Sequence, residues 1–261
     1  MRIRIGSIKL NAMADFSTYI GIDVQAVQKP YFYTALNGNL ETIACGHGRL
    51  GDVLAYLAGQ STALVAINAP VSAQIPEDSL YQEGLFSPEQ IKQTVVARTG
   101  DSELTARGFQ FFQPVGNVKK LPLWVERSLE LTAGMKQLGY DNTGERNKRS
   151  FFETQSDAGY WLATGTMPYE SRSLEGRLQR QLLLYEFGFP LKDPMVFLEE
   201  FTRYRLRTSQ VPMEQILPAH ELRAIFSAAT AWLVDMRPDA VECVGQPGQG
   251  EIIIPKEFSK K

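Results

Sequence analysis

The segment Thr62–Ile67 (TALVAI) constrains this chain more than any other, because after Thr62 it is apolar without interruption until Asn68-Ala69-Pro70 closes it. A strand that is apolar on both faces must be covered on both, which is the situation in the middle of an α/β sheet. Upstream, Thr18–Val24 (TYIGIDV) sets Ile20, Ile22 and Val24 against Gly21 and Asp23, so it reads as a strand with one acid near its end. Pro30–Leu36 (PYFYTAL) is a second strand, Asn37-Gly38-Asn39 supplies a tight turn, and Leu40–Cys45 returns as a third. Arg49–Ala58 repeats Leu50, Val53, Leu54 and Leu57 at helical spacing and stops at Gly59. The first part of the chain thus reads strand, hairpin, strand, helix, buried strand.

Residues 71–150 read as an excursion of helices and loops. Ser87-Pro88-Glu89 opens a short helix, Leu123–Leu138 is an amphipathic helix ended by Gly139, and Asp141–Arg149 is a polar, basic loop. Ser150–Gln155 (SFFETQ) returns as a strand with Glu153 inside it. The rest is mainly helical. Ser173 caps a helix whose stripe is Leu174, Leu178, Leu182 and Tyr185, with Arg177, Arg180 and Gln181 opposite and Gly188 and Pro190 stopping it. Pro194–Leu206 continues as helix. Ala219–Val234 is the strongest helix, and its Ala224, Ser227, Ala228 and Ala231 form a small-residue face suited to close packing on a sheet. Val241–Val244 and Glu251–Ile254 close the chain as two short strands. The expectation is one α/β domain over positions 13–261 with an insertion at about 71–150, and positions 1–12 as a loose tail.

Composition excludes several classes. Hydrophobic residues are 44% and charged residues 21% of 261, which rules out a disordered or coiled-coil chain. Lys and Arg total 27 against 29 acids, so any nucleic-acid contact needs a local basic patch rather than a global field. Cys45 and Cys243 are too few for a structural zinc site and are expected as reduced, buried thiols. His47 and His220, the only histidines, leave little room for histidine-based metal or hydrolase chemistry. There is no apolar run long enough to cross a membrane and no long apolar stretch of a secretion signal near the start, so a cytoplasmic protein without a membrane partner is expected.

Three strands with a hairpin, a helix and a buried strand form the front half of a ribonuclease H-like fold. GIDV (21–24), VAINAPV (65–71), FFETQ (151–155) with AGYWLATG (158–165), SLEGRLQRQLLL (173–184), HELRAIFSAATAW (220–232) and VGQPGQGEIIIP (244–255) occur in that order. In them the chain resembles the domain-of-unknown-function family numbered 429, described as predicted nucleases with a ribonuclease H-like fold. The resemblance implies a mixed sheet with a helical C-terminal half, and phosphodiester hydrolysis with Mg²⁺ or Mn²⁺ held by Asp23, Glu153 and Asn68, with Glu221 and Arg223 at the start of the last helix. Two positions depart from the family's pattern. Its second motif reads AIDAP where this chain has Asn68, and its last helix carries an acid where this chain has Arg223.

Two-metal hydrolysis clamps the attacking and leaving oxygens between cations ~3.5–4 Å apart, which takes several carboxylates. Asn68 removes one negative charge and Arg223 adds a fixed positive one. An Arg223 turned inward would bridge Asp23 or Glu153 and leave no metal site, so activity is expected to be weak or lost. The alternatives are bland for each residue: Asn68 as a turn residue, Glu221 as a first-turn acid, His220 as a cap. Three functions remain in view. The chain is a metal-dependent nuclease; or a non-catalytic module that binds a nucleic acid, a nucleotide or a protein and uses no cofactor; or, least of all, a sugar-kinase or actin-like ATPase, for which VQAVQKP (24–30) lacks a glycine-rich phosphate turn. Arg177 and Arg180, with Arg203, Arg205 and Arg207 around Tyr204, form the candidate phosphate-binding and stacking patch.

Overall fold

The computed structural model describes residues 2–5, 8–11, 16–25, 29–72, 98–110, 122–142 and 148–256. The helix start at Ser87-Pro88-Glu89 and the middle of the polar loop before Arg149 lie outside those residues. Strands β1 (Arg2–Ile5) and β2 (Ile8–Asn11) pair antiparallel with each other.

The main sheet has five strands: β3 (Thr18–Asp23), β4 (Tyr31–Leu36), β5 (Thr42–Gly48), β6 (Ala63–Asn68) and β7 (Arg149–Glu153), in the order β5-β4-β3-β6-β7. β4 and β5 form the antiparallel hairpin, but the left-handed residue of its turn is Leu40 (φ 65) rather than Asn37, Gly38 or Asn39, and the Asn37 side chain accepts from the Asn39 and Glu41 amides instead; β6 and β7 run parallel to β3. The sheet is therefore mixed, and β3 lies at its centre beside β6. Helix α1 (Leu50–Ala58) makes the crossover into β6.

The apolar run at 62–67 has the two-sided burial it implied. Leu64 and Ala66 join one core, with Tyr19, Phe152 and helix α8 (Ala219–Met236). Val65 and Ile67 join the other, with Ile20, Ile22 and Phe151, and with α1 and α3 (Leu123–Gln137) through Val53, Leu57, Leu131 and Met135. α8 presses on β3 through its small residues. A Cβ on Gly21 would stand 2.0 Å from the Ala224 carbonyl oxygen and 2.2 Å from the Ala228 nitrogen, so only glycine allows the helix this close.

Helix α2 (Thr99–Ala106) is fastened to the hairpin of β8 (Val241–Val244) and β9 (Ile252–Pro255). The Thr99 and Gly100 amides donate to the Gln249 and Gly250 carbonyls at 3.0 and 3.3 Å. α4 (Ser156–Thr164) follows β7 directly.

In two helical segments the structure differs from the sequence reading. α5 (Leu174–Phe187) buries Gly176, Arg180, Gln181, Leu184 and Phe187, not the leucine stripe that ends at the exposed Tyr185. The polar side chains can be inside because they are saturated: Gln181 alone donates to the Lys192 and Gln215 carbonyls and accepts from the Leu217 amide. The helix expected over 194–206 is broken into α6 (Met195–Glu200) and α7 (Arg203–Arg207), with Thr202 capping the second through the Arg205 amide. Both cysteines are free, but Cys45 is exposed on edge strand β5 and Cys243 is half-buried.

Candidate functional site

Asp23, Asn68 and Glu153 all end parallel strands, so all three reach the same edge of the sheet. Register decides which of them meet. Asp23 pairs with Asn68 across β3 and β6, whereas Glu153 pairs with Ile67 across β6 and β7. Side chains alternate between faces along a strand, so a one-residue offset sends Glu153 to the opposite face. Asp23 and Asn68 lie on the side of α8, and Glu153 lies on the side of Ile67 and Phe151. The shared site of Asp23 and Glu153 that the resemblance implied is not formed.

On the α8 face, Asp23 is 1% exposed and fully engaged. Arg223 Nε donates to its Oδ1 at 2.9 Å and Nη2 to its Oδ2 at 3.1 Å, a two-pronged pair. Asn68 Nδ2 donates to the same Oδ1 at 2.9 Å, and the Asn68 Oδ1 accepts from the Ser156 amide at the start of α4 at 2.9 Å. Arg223 Nη1 donates to Ser171 Oγ at 3.2 Å. Burial works against the Arg223 charge, but the Asp23 carboxylate more than offsets it, and the guanidinium is held protonated above its ordinary value. Asn68 is thus a strut between Asp23 and α4, with its carbonyl oxygen already used.

On the other face, Glu153 is 3% exposed and holds a second arginine. Arg98, the N-cap residue of α2, donates to both Glu153 oxygens at 2.6 Å, and to both oxygens of Asp101 at 2.8 and 2.9 Å. The Val71 amide donates to Glu153 Oε2 at 3.0 Å. Burial pushes the Glu153 carboxyl up, while Arg98 and the Val71 amide pull the other way. Glu153 therefore clasps two points distant in sequence, Val71 and Arg98, to the end of β7.

The row that contains Asp23 continues outward. Asp23 pairs with Phe32 on β4, and Phe32 with His47 on β5. Phe32 lies between the chain's two histidines, with ring centroids 5.2 Å from His47 and 3.6 Å from His220. Burial lowers the His220 pKa; Asp23 acts the other way, and Arg223, Lys29 and His47 reinforce the lowering. Glu221 beside it is half-buried, pushed up by burial against the pull of His47 and Arg177.

The arginines proposed for phosphate separate into two groups. Arg180 is 0% exposed: it pairs with Asp157 at 2.8 Å, donates to the Tyr169 and Gly176 carbonyls, and lies over the Tyr160 ring. Arg177 donates to the Ile216 and Leu217 carbonyls and fastens the loop before α8. Neither presents its guanidinium to a ligand. Arg203 and Arg207 are exposed on α7, and Arg205 pairs with Glu200 at 2.8 Å.

These donors do not suit a pair of divalent cations. A cation needs oxygen lone pairs and negative charge, yet both Asp23 oxygens accept from Arg223, the Asn68 oxygen accepts from an amide, and Glu153 is turned away. Among the described residues no group of three or more His, Cys, Asp or Glu is placed to hold a metal ion. Sequence reasoning did not identify Arg98, whose only local signal is Asp101 three positions on, nor Ser171, Ser156 and Phe32. The chain matches no protein-family model, no curated protein and no solved structure.

Proposed function

We propose that this chain is a ribonuclease H-like protein, of the family-429 kind, whose acidic centre is closed by its own arginine and which works as a non-catalytic binding module. The strand order β5-β4-β3-β6-β7, with the hairpin antiparallel and β6 and β7 parallel to β3, supports the fold half of this reading. The observation that carries the rest is the two-pronged Arg223–Asp23 pair. A guanidinium cannot give up its proton, so the charge that would attract a metal is neutralised where the ion would sit. Arg98 does the same to Glu153 on the opposite face. With Arg177 and Arg180 engaged internally, a protein partner suits the surface better than a phosphate backbone. The kinase-like reading has no phosphate turn after β3 to support it.

A cleavage screen with Mg²⁺ and Mn²⁺ on single- and double-stranded DNA and RNA tests this, with wild type beside Asp23→Ala. The expected result is no difference between them. Cleavage that disappears with Asp23→Ala overturns the reading.

A further inference from the structure

Strand β5 (Thr42–Gly48) is an end strand of the main sheet, and alone among its five strands it has no buried residue. The other end of the sheet is different, because β7 buries four of its five residues. Among the described residues, no strand lies beside the outer row of N–H and C=O groups on β5. Such a row is a template for another strand, and folded proteins guard it with charged side chains, proline or a bulge. TIACGHG holds neither a charge nor a proline. Its one irregularity is at Ile43, which has no opposite residue on β4 and is 51% exposed, so the centre of the strand stays regular. Cys45 and His47 are exposed along the same edge.

Register selects the occupant. Glu41 stands immediately before β5 and Arg49 immediately after it, with Arg49 still extended at φ −74 and ψ 171. Both are exposed, and neither makes an ion pair among the described residues. An antiparallel second copy that covers the whole of β5 has to be centred on Cys45, the middle residue of the seven. Ile43 then lies opposite His47 of the second copy, Ala44 opposite Gly46, and Glu41 opposite Arg49. A two-fold axis makes that charge contact twice and covers the exposed Ile43 of both copies. In-register parallel pairing would instead set glutamate on glutamate and arginine on arginine. Opposite charges at equal distances from the middle of an unguarded edge therefore fit self-pairing in one direction only. We propose that this chain pairs with a second copy of itself through β5, antiparallel about a two-fold axis at Cys45, so that two main sheets become one continuous sheet.

Sedimentation equilibrium of the full chain tests this, with Glu41→Arg, Arg49→Glu and the two combined in one chain. Wild type is expected to dimerise. Each single change sets two like-charged pairs across the axis and is expected to weaken the dimer about tenfold. The combined variant restores opposite charges with the signs exchanged and is expected to dimerise as wild type does, a recovery that damage to the fold would not give. Side chains opposite each other on antiparallel strands have Cβ atoms about 4.5–5.5 Å apart, so in a Cys243→Ser background a short bis-maleimide should link two copies through Cys45. A wild type that stays monomeric at about 100 µM overturns the proposal. So does a dimer that Cys45 does not cross-link, one that neither single reversal weakens, or a combined variant no tighter than the single ones.

Discussion

Arg223 reaches Asp23 from the helix that packs over the strand carrying it, with Nε to Oδ1 at 2.9 Å and Nη2 to Oδ2 at 3.1 Å, across 200 positions of sequence. The close approach of α8 to Gly21, two residues before Asp23, sets the helix at the height from which this guanidinium lies flat against the carboxylate. Packing and site are therefore one arrangement, and changes to either should be felt in the other.

Breaking the pair from the arginine side leaves a buried carboxylate with Asn68 alone. Arg223→Met is expected to cost about 3–5 kcal/mol in denaturant unfolding, the usual loss when one member of a buried pair is removed. Adding Asp23→Asn should recover most of that, because the uncompensated charge goes with it. Losses that simply add in the double variant would show that the two side chains do not act together.

Gly21→Ala should be among the most damaging single methyl additions in the chain. Its Cβ would meet backbone atoms of Ala224 and Ala228 at 2.0 and 2.2 Å, and backbone cannot step aside as a flexible side chain can. A loss of about 3 kcal/mol is expected, at the upper end for an overpacked core. An unchanged unfolding midpoint would contradict the described seating of α8.

His220 gives the site a pH dependence. Its folded-state pKa lies below the ordinary 6.5, chiefly because of burial. The unfolded chain therefore takes up the proton first as pH falls. The stability tied to a neutral His220 is fully present above pH 6.5 and is lost as the pH drops through the lower folded-state value. Urea midpoints measured from neutral pH downward should fall in that window, and His220→Gln should flatten that part of the curve. The raised carboxyl of Glu221 acts with the opposite sign, so the comparison with His220→Gln is what isolates the histidine. An identical slope in the variant would place the titration elsewhere.

Much of the sheet was legible because its signals are local. The two-sided apolar run at 62–67 placed β6 in the interior, Asn37-Gly38 placed the β4–β5 hairpin, and the small residues of α8 announced its contact with β3. The site was legible only in part. That Asp23 and Asn68 adjoin follows from β3 and β6 being neighbours, and the inward Arg223 was foreseen as the condition that would close the site. The face of Glu153 was not readable, because it depends on a one-residue register between β6 and β7 that no local pattern encodes. Arg98 lies 55 positions before its partner Glu153, with nothing periodic to link them. The place of Arg180 in the candidate phosphate-binding patch presumes a side chain open to solvent, the usual state of an arginine opposite a leucine stripe; here its carboxylate and carbonyl acceptors saturate it inside.

The most direct measurement of the central claim is a calorimetric Mn²⁺ titration of wild type beside Asn68→Asp, Arg223→Asp and the double variant. Removing the guanidinium leaves only the Asn68 amide on Asp23 Oδ1, Asn68→Asp removes that donor too, and the two new acids add charge on the same α8 face of the sheet. Wild type is expected to give no saturable binding, each single variant a weak gain, and the double variant a gain larger than the two added together, since both positions would share one ion. Saturable Mn²⁺ binding by wild type that Asp23→Ala abolishes would contradict the account, because it would mean that Arg223 yields the carboxylate to a metal.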